Sequence, residues 1–254
     1  MKKSNTRVLF WVFCFSFILG SCSIAERLFS IRGQMCEFDE YVVLNIDQQF
    51  EVSLHEPVLL ERDIYLLMDA LPTTRTMTSE RGVASYVFEQ VQMDQGGQET
   101  TTGMEVEISF GFVQSDGELR LSKITSSEIP SEILASAAIL VAGSATMAQQ
   151  ACDISINPFK RSAMIEIDQE MLKVIPDRST ALALLGPPSD SAGNDENLVY
   201  DFRLKGDQED LPMVRIDASY DAASDRLETV KTSFTRYDAM IDVPEGTIRL
   251  TLNR

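Results

Sequence analysis

Apolar and polar side chains alternate along much of this 254-residue chain. In "FEVSLHE", Phe50, Val52 and Leu54 alternate with Glu51, Ser53 and His55, the period of a half-buried strand. Met104, Val106, Ile108, Phe110 and Phe112 share one side of a longer strand, with Glu105, Glu107 and Ser109 on the other. Leu198, Tyr200, Phe202 and Leu204 alternate similarly, as do Val214, Ile216, Ala218 and Tyr220, and "GTIRLTL" reads as one more strand. One apolar face per strand predicts antiparallel sheets covered on one side. Helical spacing interrupts this pattern. In "ERDIYLLMDA", Ile64, Leu67, Met68 and Leu71 recur at helical intervals before Pro72. In "RSTALALL", Asp177 is placed to cap the first turn, and Gly186 and Pro187 to end the helix. The polar stretches "TRTMTSERG", "SDSAGNDEN", "QMDQGGQETTTG" and "KGDQEDLP" predict loops.

Two features recur at one offset. "QMCEF" and "QACDI" place Cys36 and Cys152 116 positions apart, and Pro72 and Pro188 are separated by the same interval. Downstream, "SYVFEQV" at 85–91 matches "LVYDFRL" at 198–204, and 108–124 matches 216–232 with Leu119 and Lys123 opposite Leu227 and Lys231. These matches predict a tandem duplication. The expected fold is α+β: two tandem repeats, 36–127 and 152–254, each a short helix packed on an antiparallel three- to four-stranded sheet. An Ala-rich helix at 128–151 joins them. Its core, "SEILASAAILVAGSATMAQQA", is interrupted by Ser, Thr, Gly and Gln, which argues against a membrane span.

The N-terminus changes the picture of where such a domain resides. Lys2, Lys3 and Arg7 precede the predominantly apolar 12-residue stretch "VLFWVFCFSFIL", the organisation of a signal peptide over 1–21. Leu19-Gly20-Ser21-Cys22 resembles the lipobox of bacterial lipoproteins, whose cysteine thiol is acylated before cleavage. That resemblance implies a lipid-anchored segment at 22–35, and Ser23, in place of a retaining aspartate, implies the inner leaflet of the outer membrane, facing the periplasm. The formal charge of -17 disfavours nucleic acid and anionic lipid as partners recognised through charge, and favours soluble behaviour and protein partners. With Cys14 in the signal and Cys22 acylated, Cys36 and Cys152 remain in an oxidising compartment. Their matched positions predict a disulfide stapling the repeats; two separate buried thiols are the alternative.

"LALLGPPSD", "LVYDFRL" and "YDAASDRLETV" resemble the SmpA/OmlA family of small outer-membrane lipoproteins associated with β-barrel assembly, whose fold is shared with β-lactamase-inhibitor proteins carrying two units. The matching features are Leu185-Gly186-Pro187-Pro188, the aromatic pair Tyr200 and Phe202, and a turn bounded by Asp221 and Asp225. The first half lacks the glycine in "DALPT".

Candidate chemistry is sparse. His55 is the only histidine and lies beside Glu51 and Glu56 on a polar strand face, where a solvated role is expected. No G-x-S-x-G, Walker A or G-x-G-x-x-G motif occurs. Asp190, Asn194, Asp195 and Glu196 supply oxygens without the EF-hand order. No catalytic residue, cofactor or metal is assigned. The expected function is a non-catalytic protein-binding or scaffolding module in cell-envelope assembly. The alternative is a hydrolase or small-molecule binder using an acidic cleft between the repeats.

Overall fold

The computed structural model describes residues 27, 30, 33, 34, 37–45, 50–93, 98–127, 162–166, 175–190, 197–206 and 212–253. The expected signal segment 1–21, Cys22, Cys36, Cys152 and the stretch 128–151 expected as an Ala-rich helix lie outside them.

Helix α1 (Phe38–Tyr41) leads into β1 (Val42–Asn45) and β2 (Phe50–Leu54). Helix α2 (Glu61–Met68) precedes β3 (Thr74–Met77), β4 (Arg81–Met93), β5 (Glu99–Ser115) and β6 (Glu118–Ser127). After β7 (Ser162–Glu166) and helix α3 (Arg178–Leu185), the chain forms β8 (Asn197–Leu204), β9 (Met213–Tyr220), β10 (Leu227–Phe234), β11 (Tyr237–Asp242) and β12 (Thr247–Leu252). These 12 strands belong to one sheet, ordered β1-β2-β6-β5-β4-β8-β9-β10-β11-β12-β7, with β3 also on β4. Every pairing is antiparallel.

This architecture corrects the α+β expectation: the protein is mostly antiparallel β, and the sheet runs unbroken through both halves instead of dividing into two sheets with a helix on each. The reason lies at the edge of β4. Residues 82–85 pair with β3, and residues 88–91 pair with β8, Phe88 opposite Leu204 and Val91 opposite Asp201. An unpaired strand edge exposes a row of backbone donors and acceptors, and here the two halves satisfy each other's edges. Thr73 marks the handover. Its hydroxyl accepts from the Val87 amide at 3.1 Å and donates to the Lys205 carbonyl at 3.0 Å, while the Lys205 amide donates to the Val87 carbonyl at 2.7 Å.

The even-numbered residues of β4 and β8 share one face and build a single core. Ala84, Tyr86, Phe88, Phe110, Phe112, Leu121, Leu198, Tyr200, Phe202 and Leu204 are all buried in it, joined by Ile64 and Met68 of α2 and Ala181 of α3. The sheet is curved toward this side. Phe88 on β4 and Phe234 on β10 are three strands apart, about 14 Å across a flat sheet at ~4.8 Å per strand. Their rings nevertheless meet edge to face at 6.1 Å. The curvature also brings Arg236, in the β10–β11 turn, within 3.7 Å of Asp69 after α2.

Each helix is fixed by local chemistry. The Asp177 carboxylate caps α3 by accepting from the Thr180 amide at 2.8 Å, as its sequence predicts, and hydrogen bonds to Thr180 and Ser179 hold its pKa below the usual aspartate value. Gly186 ends that helix at φ 71° and ψ -161°, a conformation with positive φ but outside the left-handed helical region expected for a helix C-terminus. Asp63, within α2, accepts from the Leu60 amide at 2.9 Å. Tyr86 and Tyr200 tie both helix ends to the core: their hydroxyls donate to the carbonyls of Ala70 at 3.3 Å and Gly186 at 3.2 Å. The apolar stripe expected on α2 divides, with Ile64 and Met68 buried but Leu67 and Leu71 exposed. Among the described residues, no helix is long and apolar enough to cross a membrane.

Candidate protein-binding face

The odd-numbered residues of β4, β5, β8 and β9 point away from the helices and build a polar surface at the centre of the sheet. Strand pairing sets their spacing: Glu89 lies opposite both Glu105 and Arg203, and Asp201 lies opposite Arg215. Lys205 bridges two strands through Glu89 at 3.1 Å and Glu105 at 2.5 Å, and these bonds raise its pKa. Arg203 pairs with Glu99. Arg215 reaches Asp201 at 3.4 Å and its neighbour Asp217 at 3.2 Å. Burial among the strands raises the Asp201 pKa, with Arg215 acting against that shift.

Five carboxylates thus surround three cations, leaving the face acidic. Most of these side chains are partly exposed, and exposed ion pairs contribute about 0–1 kcal/mol each to stability, so the lattice adds little to folding and leaves hydrogen-bonding capacity at the surface. Alongside it, the Ser85 and Ser109 hydroxyls lie 2.6 Å apart, and Ser109 donates to Glu107 at 2.9 Å. Ser85 is buried, so this chain of hydroxyls satisfies a covered polar group.

The sequence-derived candidates are scattered relative to this face. His55 is exposed at the end of β2, where its backbone amide donates to the Tyr41 carbonyl at 2.9 Å. Its neighbours turn to other partners: Glu51 takes Lys123 at 3.3 Å, and the Glu56 carbonyl accepts from Gln34 at 2.6 Å. Asp190 is exposed, while Asn194, Asp195 and Glu196 lie outside the described residues. No group of three or more His, Cys, Asp and Glu side chains with metal-binding geometry occurs among the described residues. Where the halves meet, Phe88, Phe202, Leu204 and Phe234 belong to one packed cluster, and β4 pairs directly with β8. The signal that sequence reading missed is the odd-position charge alternation through β8 and the residue after it, Asp201-x-Arg203-x-Lys205, which sits beside an aromatic core pattern.

No protein-family model matches the chain, and neither the curated proteins nor the solved structures include one that matches it.

Proposed function

We propose that this protein is a lipoprotein of the outer membrane, anchored through acylated Cys22 and facing the periplasm, that serves envelope assembly as a non-catalytic protein-binding module. The acidic lattice of β5, β4, β8 and β9 is the observation that carries the binding role. It spans four paired strands and offers partly exposed carboxylates at fixed spacing to a basic protein surface. The lipobox supports the anchor, and the resemblance around Leu185–Pro188 makes barrel-assembly components the first partners to test.

A photo-crosslinking residue at Glu105, in the lipidated full chain in outer membranes, is expected to capture one discrete envelope protein. The Glu89→Lys variant should lose that capture, because reversing a carboxylate of the face sets like charge against a basic partner. Recovery of nothing above a control lipoprotein overturns the reading.

A further inference from the structure

The segment preceding α1 is fastened to the start of α2. Arg27 grips the Asp63 carboxylate with two hydrogen bonds, Nε and Nη2 each at 2.9 Å, and the same carboxylate holds the Leu60 amide. Asp63 is only 8 % exposed. A bidentate arginine on a buried carboxylate fixes direction as well as position. Gln34 adds a second tie through the Glu56 carbonyl, and the Tyr41 carbonyl a third through the His55 amide.

Only five positions separate Arg27 from Cys22. At no more than ~3.6 Å per residue, that stretch spans at most about 18 Å. If the chain is acylated at Cys22, as proposed above, the Arg27 backbone therefore stays within that distance of the lipid headgroups, and the N-terminal end of α2 lies one arginine–aspartate contact beyond it.

The surface beside this anchor is suited to such proximity. Leu66 is 61 % exposed, Leu67 43 % and Leu71 58 %. Leu66 and Leu67 lie three and four residues beyond Asp63, the spacing that puts side chains on its side of a helix. Charge around them also differs from the rest of the chain. Arg27, Arg75 and Arg236 each pair with an acid, Asp63, Glu61 and Asp69, and Arg62 adds a fourth cation, so this surface is close to neutral where the full chain carries a formal charge of -17. Leu66 and Leu67 on α2, with Leu71 three residues past its end and arginines at neighbouring positions, match an interfacial membrane contact, in which apolar side chains settle into the headgroup region beneath cationic ones.

We propose that the Leu66–Leu67 side of α2, with Leu71 just beyond the helix end, rests on the bilayer that holds the Cys22 acyl chains, so that the Arg27–Asp63 bond orients the sheet on the membrane. The inference depends on the lipid anchor, and its test separates the two. The only tryptophan, Trp11, lies in the expected signal segment, so an introduced tryptophan reports alone after cleavage. Lipidated full-length Leu66→Trp is reconstituted into phosphatidylethanolamine–phosphatidylglycerol vesicles containing brominated acyl chains. A matched Val83→Trp variant places the reporter on the opposite face of the sheet, where Val83 is 46 % exposed. The expected result is a blue-shifted, quenched emission for Leu66→Trp and an unquenched one for Val83→Trp.

Inserting about ten Gly/Ser residues after Ser23, which adds flexible reach without touching the fold, should abolish the quenching. Arg27→Ala should weaken it. Unquenched Leu66→Trp on protein that floats with vesicles and carries acylated Cys22 overturns the orientation and leaves the anchor standing. Quenching unchanged by the insertion overturns the orienting role of the tether. An unmodified Cys22 in the mature protein, read by mass spectrometry, overturns the anchor and the orientation together.

Discussion

Replacing Phe88 by alanine tests whether the two halves share one folding unit. Phe88 is 3 % exposed, sits on β4 at the junction with β8, and packs its ring against Phe234 of the second half. Phe→Ala changes in cores cost about 3–5 kcal/mol through lost transfer energy and the residual cavity. An edge-to-face partner is worth about 0.5–1.5 kcal/mol beyond its area. Curvature of the sheet limits collapse around the site, so a loss of about 4 kcal/mol is expected, close to a thousandfold in the unfolding constant. Because one core spans both halves, the slowest-exchanging amides of β8, β9 and β10 should lose as much protection as those of β5 and β6. Amide hydrogen exchange read by mass spectrometry, segment by segment, gives both values in one experiment. Loss confined to β4–β6, with β8–β10 unchanged, would refute the shared-core argument and restore two independent units.

Other outcomes follow from single positions. Ser126 is 6 % exposed with no hydrogen-bond partner for its hydroxyl among the described residues, so Ser126→Ala should stabilise by roughly 1 kcal/mol in denaturant unfolding; a destabilisation of that size would mean the hydroxyl is satisfied in solution. Asp116 and Gly117 form the β5–β6 turn at φ 53° and 82°, and Gly117→Ala should cost about 1–2 kcal/mol in the same assay, whereas an unchanged midpoint would exclude that turn conformation. Burial raises the pKa values of Tyr86 and Tyr200 and pushes Tyr220 up to about 12. Between about pH 10 and 12 the unfolded chain releases tyrosine protons that the folded one retains, so stability should fall as pH rises through that window. A flat unfolding free energy there, measured alongside tyrosinate absorbance, would contradict the burial.

Strand content was legible because pleating has a period of 2, and Leu198, Tyr200, Phe202 and Leu204 are all buried as their alternation predicts. The breadth of the sheet was not, because the β4–β8 pairing joins residues 110 to 116 positions apart and leaves no local pattern. Strand β3 was hidden within a stretch predicted as loop: Thr74, Arg75 and Thr76 are exposed, so no apolar alternation marks them. Hydrogen bonding places Tyr86 and Tyr200 in equivalent roles, a separation of 114, where matching the two strands by letters puts Tyr86 opposite Val199. A register shift in β5–β6 sets Leu121, not Leu119, opposite Phe112, as Leu227 is opposite Tyr220. The residue types of the acidic face were visible at Glu105, Glu107 and Ser109. Lys205, the cation that organises that face, is 100 positions from Glu105 and could be assigned only in three dimensions.

The handover at Thr73 has a temporal side. During synthesis from the N-terminus, β4 is complete long before β8 exists, and Leu204 follows its partner Phe88 by 116 positions. Until then, residues 88–91 form half of an interface whose other half has not been made, next to an aromatic surface that will later be covered. Long-range strand pairing of this kind closes slowly and leaves nascent edges open to wrong partners. The β3 hairpin already shields residues 82–85 of the same edge, which confines the waiting portion to a stretch of four residues.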